Sequence, residues 1–230
     1  MEILFQKRWW KYGAALLVLY VIIAGLLMPA PRLDILNETI RNLYFHVAAW
    51  FAMFILLIAS LVYSIKFLRD GRPLYDMYAV EFANMAIVYG LIGVATGSVW
   101  AKYTWGAWWT NDPKLNTTTI ALLIYMAYVV LRASIEEAQQ KGRISAVYNI
   151  FAFAAAVPLI FILPRMTDSL HPGNGGNPGF NSYDLDNDLR KVFYPAVLAW
   201  TLIGFWISSL RIRKRKLEAE LVEWEDSKRQ

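Results

Sequence analysis

The 230-residue chain has no cysteine and only two histidines. The first absence excludes disulfides, thiolate metal sites and thioether attachment of a prosthetic group to this chain. The second leaves His46 and His171 as the sole imidazoles. Charge is scarce too, at 18% of residues, and it collects between apolar blocks rather than within them. No carboxylate is clearly placed at the middle of a block, where a proton pump or ion-coupled transporter would bury one. The connections between blocks are too short for a separate soluble domain, and nothing resembles a nucleic-acid-binding motif.

What is present is hydrophobic surface, in 57% of residues and in long runs without amphipathic rhythm. Six blocks approach the length a helix needs to cross a bilayer: Tyr12–Met28, Leu43–Ile65, Ala79–Val99, Thr117–Leu131, Val147–Leu163 and Val192–Leu210. The fourth and fifth are short and need their flanks. The expected fold is all-α, a polytopic membrane bundle of six transmembrane helices. It reads as one membrane domain over 1–210, with outer loops at 100–116 and 164–191 and a basic, amphipathic tail at 211–230.

Lysine and arginine set the orientation. With the N-terminus cytoplasmic, sixteen of the 23 basic residues fall on the cytoplasmic side, from Lys7 and Arg8 to Lys228 and Arg229. Arg32, Arg41, Lys102, Lys114, Arg165, Arg190 and Lys191 fall on the other. The positive-inside rule then puts both termini in the cytoplasm. The net charge of +5 is mostly this topology signal, and the run Arg211–Lys216 is suited to anionic lipid headgroups rather than nucleic acid. The first block follows basic residues as a signal peptide would. However, Pro31 and Met28 make a poor cleavage site after Ala30, so an uncleaved span is expected. Within the spans, Gly93 and Gly97 form a GxxxG pair that would let a neighbouring helix approach. Pro158 should kink the fifth span, and Glu81 and Asn84 are expected near enough to the cytoplasmic interface to be solvated.

The chemistry gathers on the outer side. The segment WAKYTWGAWWTNDPKLN, from Trp100 to Asn116, holds Trp100, Trp105, Trp108 and Trp109, with Gly106 giving the backbone room to bend. It reads either as an interfacial aromatic belt or as flat faces offered to a large planar ligand. Asp112 and Pro113 also form a helix start, with Asp112 as cap and Pro113 in the first turn. His46 lies at the outer start of the second span, and His171 in the long Gly- and Asn-rich connection after the fifth. Taken singly, each has a bland reading as a solvated or carbonyl-bonded side chain. Two imidazoles on the same side as a Trp cluster could instead grip haem iron from opposite faces of a porphyrin. Arg41, Lys102 and Lys114, on that side, could pair with propionate carboxylates.

The string WGAWWTNDPKLN after a third span, with one His before it in the chain and one after the fifth span, resembles the tryptophan-rich "WWD" signature of the haem-handling proteins of cytochrome c biogenesis. Length and span count are most similar to the haem exporter protein C (CcmC or CcsA type) branch, and the resemblance covers nearly the whole chain. It implies a haem platform of Trp105, Gly106, Trp108, Trp109, Asp112 and Pro113, with His46 and His171 as axial ligands to a transient, non-covalent haem b. It further implies delivery to a periplasmic haem chaperone alongside ABC-transporter-type subunits at a bacterial inner membrane, and no enzyme activity. Two departures stand out: Asn111 replaces a Trp, removing one aromatic face, and Lys114 replaces an Arg, losing a bidentate fork while keeping the charge. The alternatives are a cytochrome c synthase subunit, which typically carries more spans and further histidines, a membrane-anchor cytochrome b, which needs histidines at the midplane, and a transporter subunit whose Trp loop only docks a partner.

Overall fold

In the computed structural model, which describes residues 7–31, 36–171 and 185–229, the chain is helical, and no strand occurs among the described residues. Six helices are long and apolar enough to cross a membrane. They are α1 (Trp9–Leu27), α2 (His46–Asp70), α3 (Pro73–Trp105), α4 (Pro113–Ala133), α5 (Ala138–Val157) and α6 (Asn187–Arg229). A 3-10 helix, Glu38–Tyr44, leads into α2.

Local chemistry sets the boundaries. α1 runs out at Met28, whose extended backbone suits the residue before Pro29. Arg41 closes that end by donating from Nη1 to the carbonyls of Gly25 and Met28, at 2.9 and 2.7 Å, groups a helix C-terminus leaves without partners. Gly71, at φ 66°, ends α2 in the left-handed region, and Pro73 starts α3, so two residues make the turn. The short link forces α2 and α3 into an antiparallel hairpin, and they share the largest interface in the molecule. Gly106, at φ 81°, ends α3 the same way. The fourth and fifth spans gain the flanks they lacked, with Asp112 and Glu137 as side-chain caps. At Pro158 the expected kink takes the form of a π-helical turn, Pro158–Ile162, followed by a 3-10 turn, Leu163–Arg165.

α2 is the hub, packing on α3, α5 and α6. Small residues make this possible: Ala48, Ala49 and Ala52 are fully buried, as expected where helices must approach closely without a hydrophobic drive between them. A central cluster joins Leu56, Phe82, Met85, Leu122 and Tyr125. A second one packs Val21, Tyr44, Ala48, Val192 and Phe193 around the entrance to α2. There the Trp200 indole donates to the Tyr44 carbonyl at 2.9 Å, fixing the residues just ahead of His46. α6 continues unbroken past Pro195. That proline leaves the Lys191 carbonyl without its helical donor, and the Tyr20 hydroxyl of α1 donates to it at 3.0 Å.

Two expectations are corrected. Glu81 is not solvated: it is fully buried and paired with both Arg211 and Arg215 of α6. A carboxylate at that depth needs compensating charge, and α6 brings it from 130 residues away along the chain. Gly93 and Gly97 do face α2, but they admit side chains rather than backbone. A Cβ would stand 2.5 Å from Trp50 at Gly93 and 2.6 Å from His46 at Gly97. The Gly- and Asn-rich stretch 172–181 of the long outer loop lies outside the described residues.

Between the helices, the Asn149 amide of α5 donates to the hydroxyls of Ser60 and Ser64, each at 2.8 Å, while Ser60 donates to the Ala79 carbonyl of α3. This joins three helices through one side chain. Asn149→Ala should lower unfolding stability in detergent by about 1 kcal/mol, measured by sodium dodecyl sulfate titration against the parent protein.

Candidate functional site

His46 opens α2, and its ring fits against α3 where Gly97 carries no Cβ, while the neighbouring gap at Gly93 takes the Trp50 indole. Its Nδ1 lies 2.9 Å from the Gly93 carbonyl and 3.2 Å from Thr96 Oγ1. A carbonyl only accepts, and the Thr96 hydroxyl proton is directed at the Ile92 carbonyl, so Nδ1 carries the hydrogen. The tautomer is thereby set with the Nε2 lone pair available. Trp50 and Trp100 meet the ring edge-on, with centroids 6.3 and 5.8 Å away.

His171 is mounted the same way by different means. Asp112, with a side chain 1% exposed, accepts from the backbone N–H groups of Lys114 and Leu115, which caps α4. The same carboxylate accepts from Ser169 Oγ and Leu170 N on the far side of the bundle end, at 2.9 and 2.7 Å, and from His171 Nδ1 at 3.1 Å. An ionised carboxylate only accepts, so here too Nδ1 is the donor and Nε2 is left open. A second-sphere acceptor on Nδ1 orients the ring and raises the basicity of Nε2, the arrangement found behind metal-ligating imidazoles. Trp105 packs edge-on against His171 at 4.8 Å between centroids.

The electrostatics keep both groups in the required states. Burial pushes the His171 pKa down to about 4, helped by the positive charge of Lys114 and opposed by Asp112. Burial by itself would raise the Asp112 carboxyl, but the bonds from Leu170 and Ser169 and the nearby imidazole hold it below the usual carboxylate range. His171 is therefore neutral and Asp112 ionised at neutral pH. His46, His171 and Lys114 are close enough to interact electrostatically.

The Trp loop forms the open side. Trp108 and Trp109 are 58% and 41% exposed, while Trp105 is half-buried beside His171. Gly106, left-handed at the turn, takes a hydrogen bond from Lys102 Nζ at 3.0 Å on its carbonyl. Asn111, where the resemblance would place a Trp, accepts from the Asn116 side chain at 2.7 Å and pins the loop to the first turn of α4. Pro113 occupies that first turn. Arg41 is engaged in closing α1 and in an ion pair with Glu38. Of the residues sequence reasoning singled out, Trp105, Asp112, Lys114 and His171 come together around one carboxylate. Sequence reasoning missed Ser169 and Thr96, which position the two histidines; Ser169, two residues before His171, is the one with a local signal.

A sequence model of the heme exporter protein C family matches residues 2–227. The chain is similar to heme exporter protein C of Rhodobacter capsulatus, at 28% identity over 80% of this chain and 77% of the relative. It is also similar to that of Paracoccus denitrificans, at 25% identity over 93% and 89%, and to that of Escherichia coli, at 22% identity over 75% and 66%.

Nitrogen-15 NMR of imidazole-labelled protein at pH 7 should show both rings neutral and protonated on Nδ1. Asp112→Ala should change the tautomer signature of His171 and leave that of His46 as it was. The unfolded chain binds a proton at His171 near the ordinary value of 6.5 and the folded chain only near 4. Between those values the unfolded state takes up more protons, so stability should fall as the pH is lowered through this window. His171→Gln should flatten that part of the stability profile.

Proposed function

The chain belongs to the haem exporter protein C family, and from that premise we propose that it holds haem at the outer face of a bacterial inner membrane and hands it to a periplasmic haem chaperone during cytochrome c maturation. Haem handling for cytochrome c maturation, in a multi-pass membrane protein, follows from the family and the six spans. In the proposed site His46 and His171 ligate the iron. The observation that carries this reading is that each ring has Nδ1 bonded to an acceptor-only group, Gly93 O or Asp112, with Nε2 left open beside the tryptophans.

The donor set fits such a cargo. Neutral imidazole is a usual nitrogen ligand to haem iron, and the burial of His171 keeps it neutral. Trp108 and Trp109 present exposed indoles to the macrocycle, with Trp105 supporting His171 from the side, and Gly106 and Pro113 shaping the two ends of the loop. Lys114 supplies positive charge to the propionates, and Arg41 contributes with the donors it keeps beyond its helix-closing bonds. The haem is b-type and non-covalent, since the chain has no cysteine to form a thioether. A delivery site must also release its cargo, and one helix-borne and one loop-borne imidazole without covalent attachment suit that task better than catalysis does. On this reading the termini are cytoplasmic, the Trp loop is periplasmic, and ABC-transporter-type subunits complete the assembly in the lipid bilayer.

Purified protein titrated with haem should give the absorption spectrum of six-coordinate, bis-histidine iron. His46→Ala and His171→Ala should each abolish that spectrum. Asp112→Asn retains a capping side chain but no charge, and should weaken haem binding about 10- to 100-fold. An unchanged spectrum in both histidine variants would overturn the proposal.

A further inference from the structure

Trp100 lies on α3 one turn beyond Thr96, edge-on to His46. Its indole N–H is buried and has no hydrogen-bond partner. Among the described residues, the other buried side-chain atoms in that condition are hydroxyls, which rotate or accept, the Asn149 carbonyl oxygen, which only accepts, and a Glu81 oxygen that is ion-paired with Arg215. Trp100 Nε1 alone is an obligate donor. Leaving such a group buried and unpaired is unfavourable, and at Trp200 it is avoided: that indole donates to Tyr44 O. One helical turn further on, Thr104 carries a second buried hydroxyl without a partner, and Thr110 in the Trp loop a third. Residues four apart on a helix share a face, so Thr96, Trp100 and Thr104 form a line. Its first member already serves His46, bonding Nδ1.

We propose that Trp100 Nε1 and Thr104 Oγ1 are donors to a carboxylate of the porphyrin cargo, fixing which edge of the macrocycle lies over α3. The inference rests on the haem reading above and adds a determinant of orientation to it. The cationic side chains of this face are less suited to fixing an edge. Arg41 is engaged by two backbone carbonyls and Glu38, and a lysine acts as a point charge without directional preference. Neutral donors in a dry site hold an anion by direction and release it without an ion pair to break. They also discriminate: a site built to donate rejects an analogue that leaves its donors unpaired.

The test is an absorbance titration with iron protoporphyrin IX and with its dimethyl ester. The wild-type protein should bind the free acid about tenfold or more tighter than the ester. Trp100→Phe, which keeps the ring against His46, and Thr104→Val, which keeps the volume, should each lose several-fold in affinity for the free acid and little for the ester. His46→Ala should lose both ligands. Variants that weaken acid and ester equally, or leave the acid unaffected, would overturn the carboxylate role while histidine-dependent binding of either porphyrin kept the haem reading intact. Failure of the wild type to bind either porphyrin would remove both.

Discussion

A carboxylate with no exposed surface must have its negative charge matched by donors, and at Asp112 those donors come from two parts of the chain that have no other reason to meet. Lys114 N and Leu115 N are the orphan donors of a helix start. Ser169, Leu170 and His171 belong to the segment after the fifth span. By satisfying both sets, one side chain closes the gap between α4 and the far outer loop and sets His171 upright against Trp105. The helix cap and the histidine mount are therefore the same interaction, and the ends of the Trp loop inherit their positions from it.

The second histidine is held without any charge. His46 depends on one missing side chain, at Gly97, and on the Gly93 carbonyl that accepts from it. The two mounts differ in how they respond to disturbance. The His46 seat is cut into the largest helix interface of the bundle, so it changes only if α2 and α3 move apart. The His171 seat hangs on hydrogen bonds to a loop and can be undone without unpacking a helix. Binding and release need not be symmetric when one support is part of the core and the other is a clasp.

Much of this was legible in the sequence because it is written locally. Apolar length gives six spans, Asp112-Pro113 announces a helix start, and His171 falls beside a tryptophan of the Trp-rich segment, Trp105. What escaped is what depends on pairing across the fold. Glu81 looks solvated from its position near a span end, and only the return of α6 with Arg211 and Arg215 explains its burial. Gly93 and Gly97 read as a helix-contact motif, and nothing nearby in the chain says that one accommodates an indole and the other an imidazole. The double duty of Asp112 was equally hidden, because a good cap needs no second partner and Ser169 lies 57 residues away. Pro195 in α6 looks like a break until Tyr20 supplies the donor its backbone lacks.

The two-residue link at Gly71-Arg72 bears on the order in which the site is built. Contacts between α2 and α3 close a very short loop, so little entropy is lost before they form. During synthesis that hairpin is complete while the rest of the chain is still being made. It already contains His46, the notch that receives it, Thr96 and Trp100. Asp112 arrives next, and His171 only after two more helices. Nascent protein thus passes through a stage in which the His46 seat is complete and the His171 seat is not yet made.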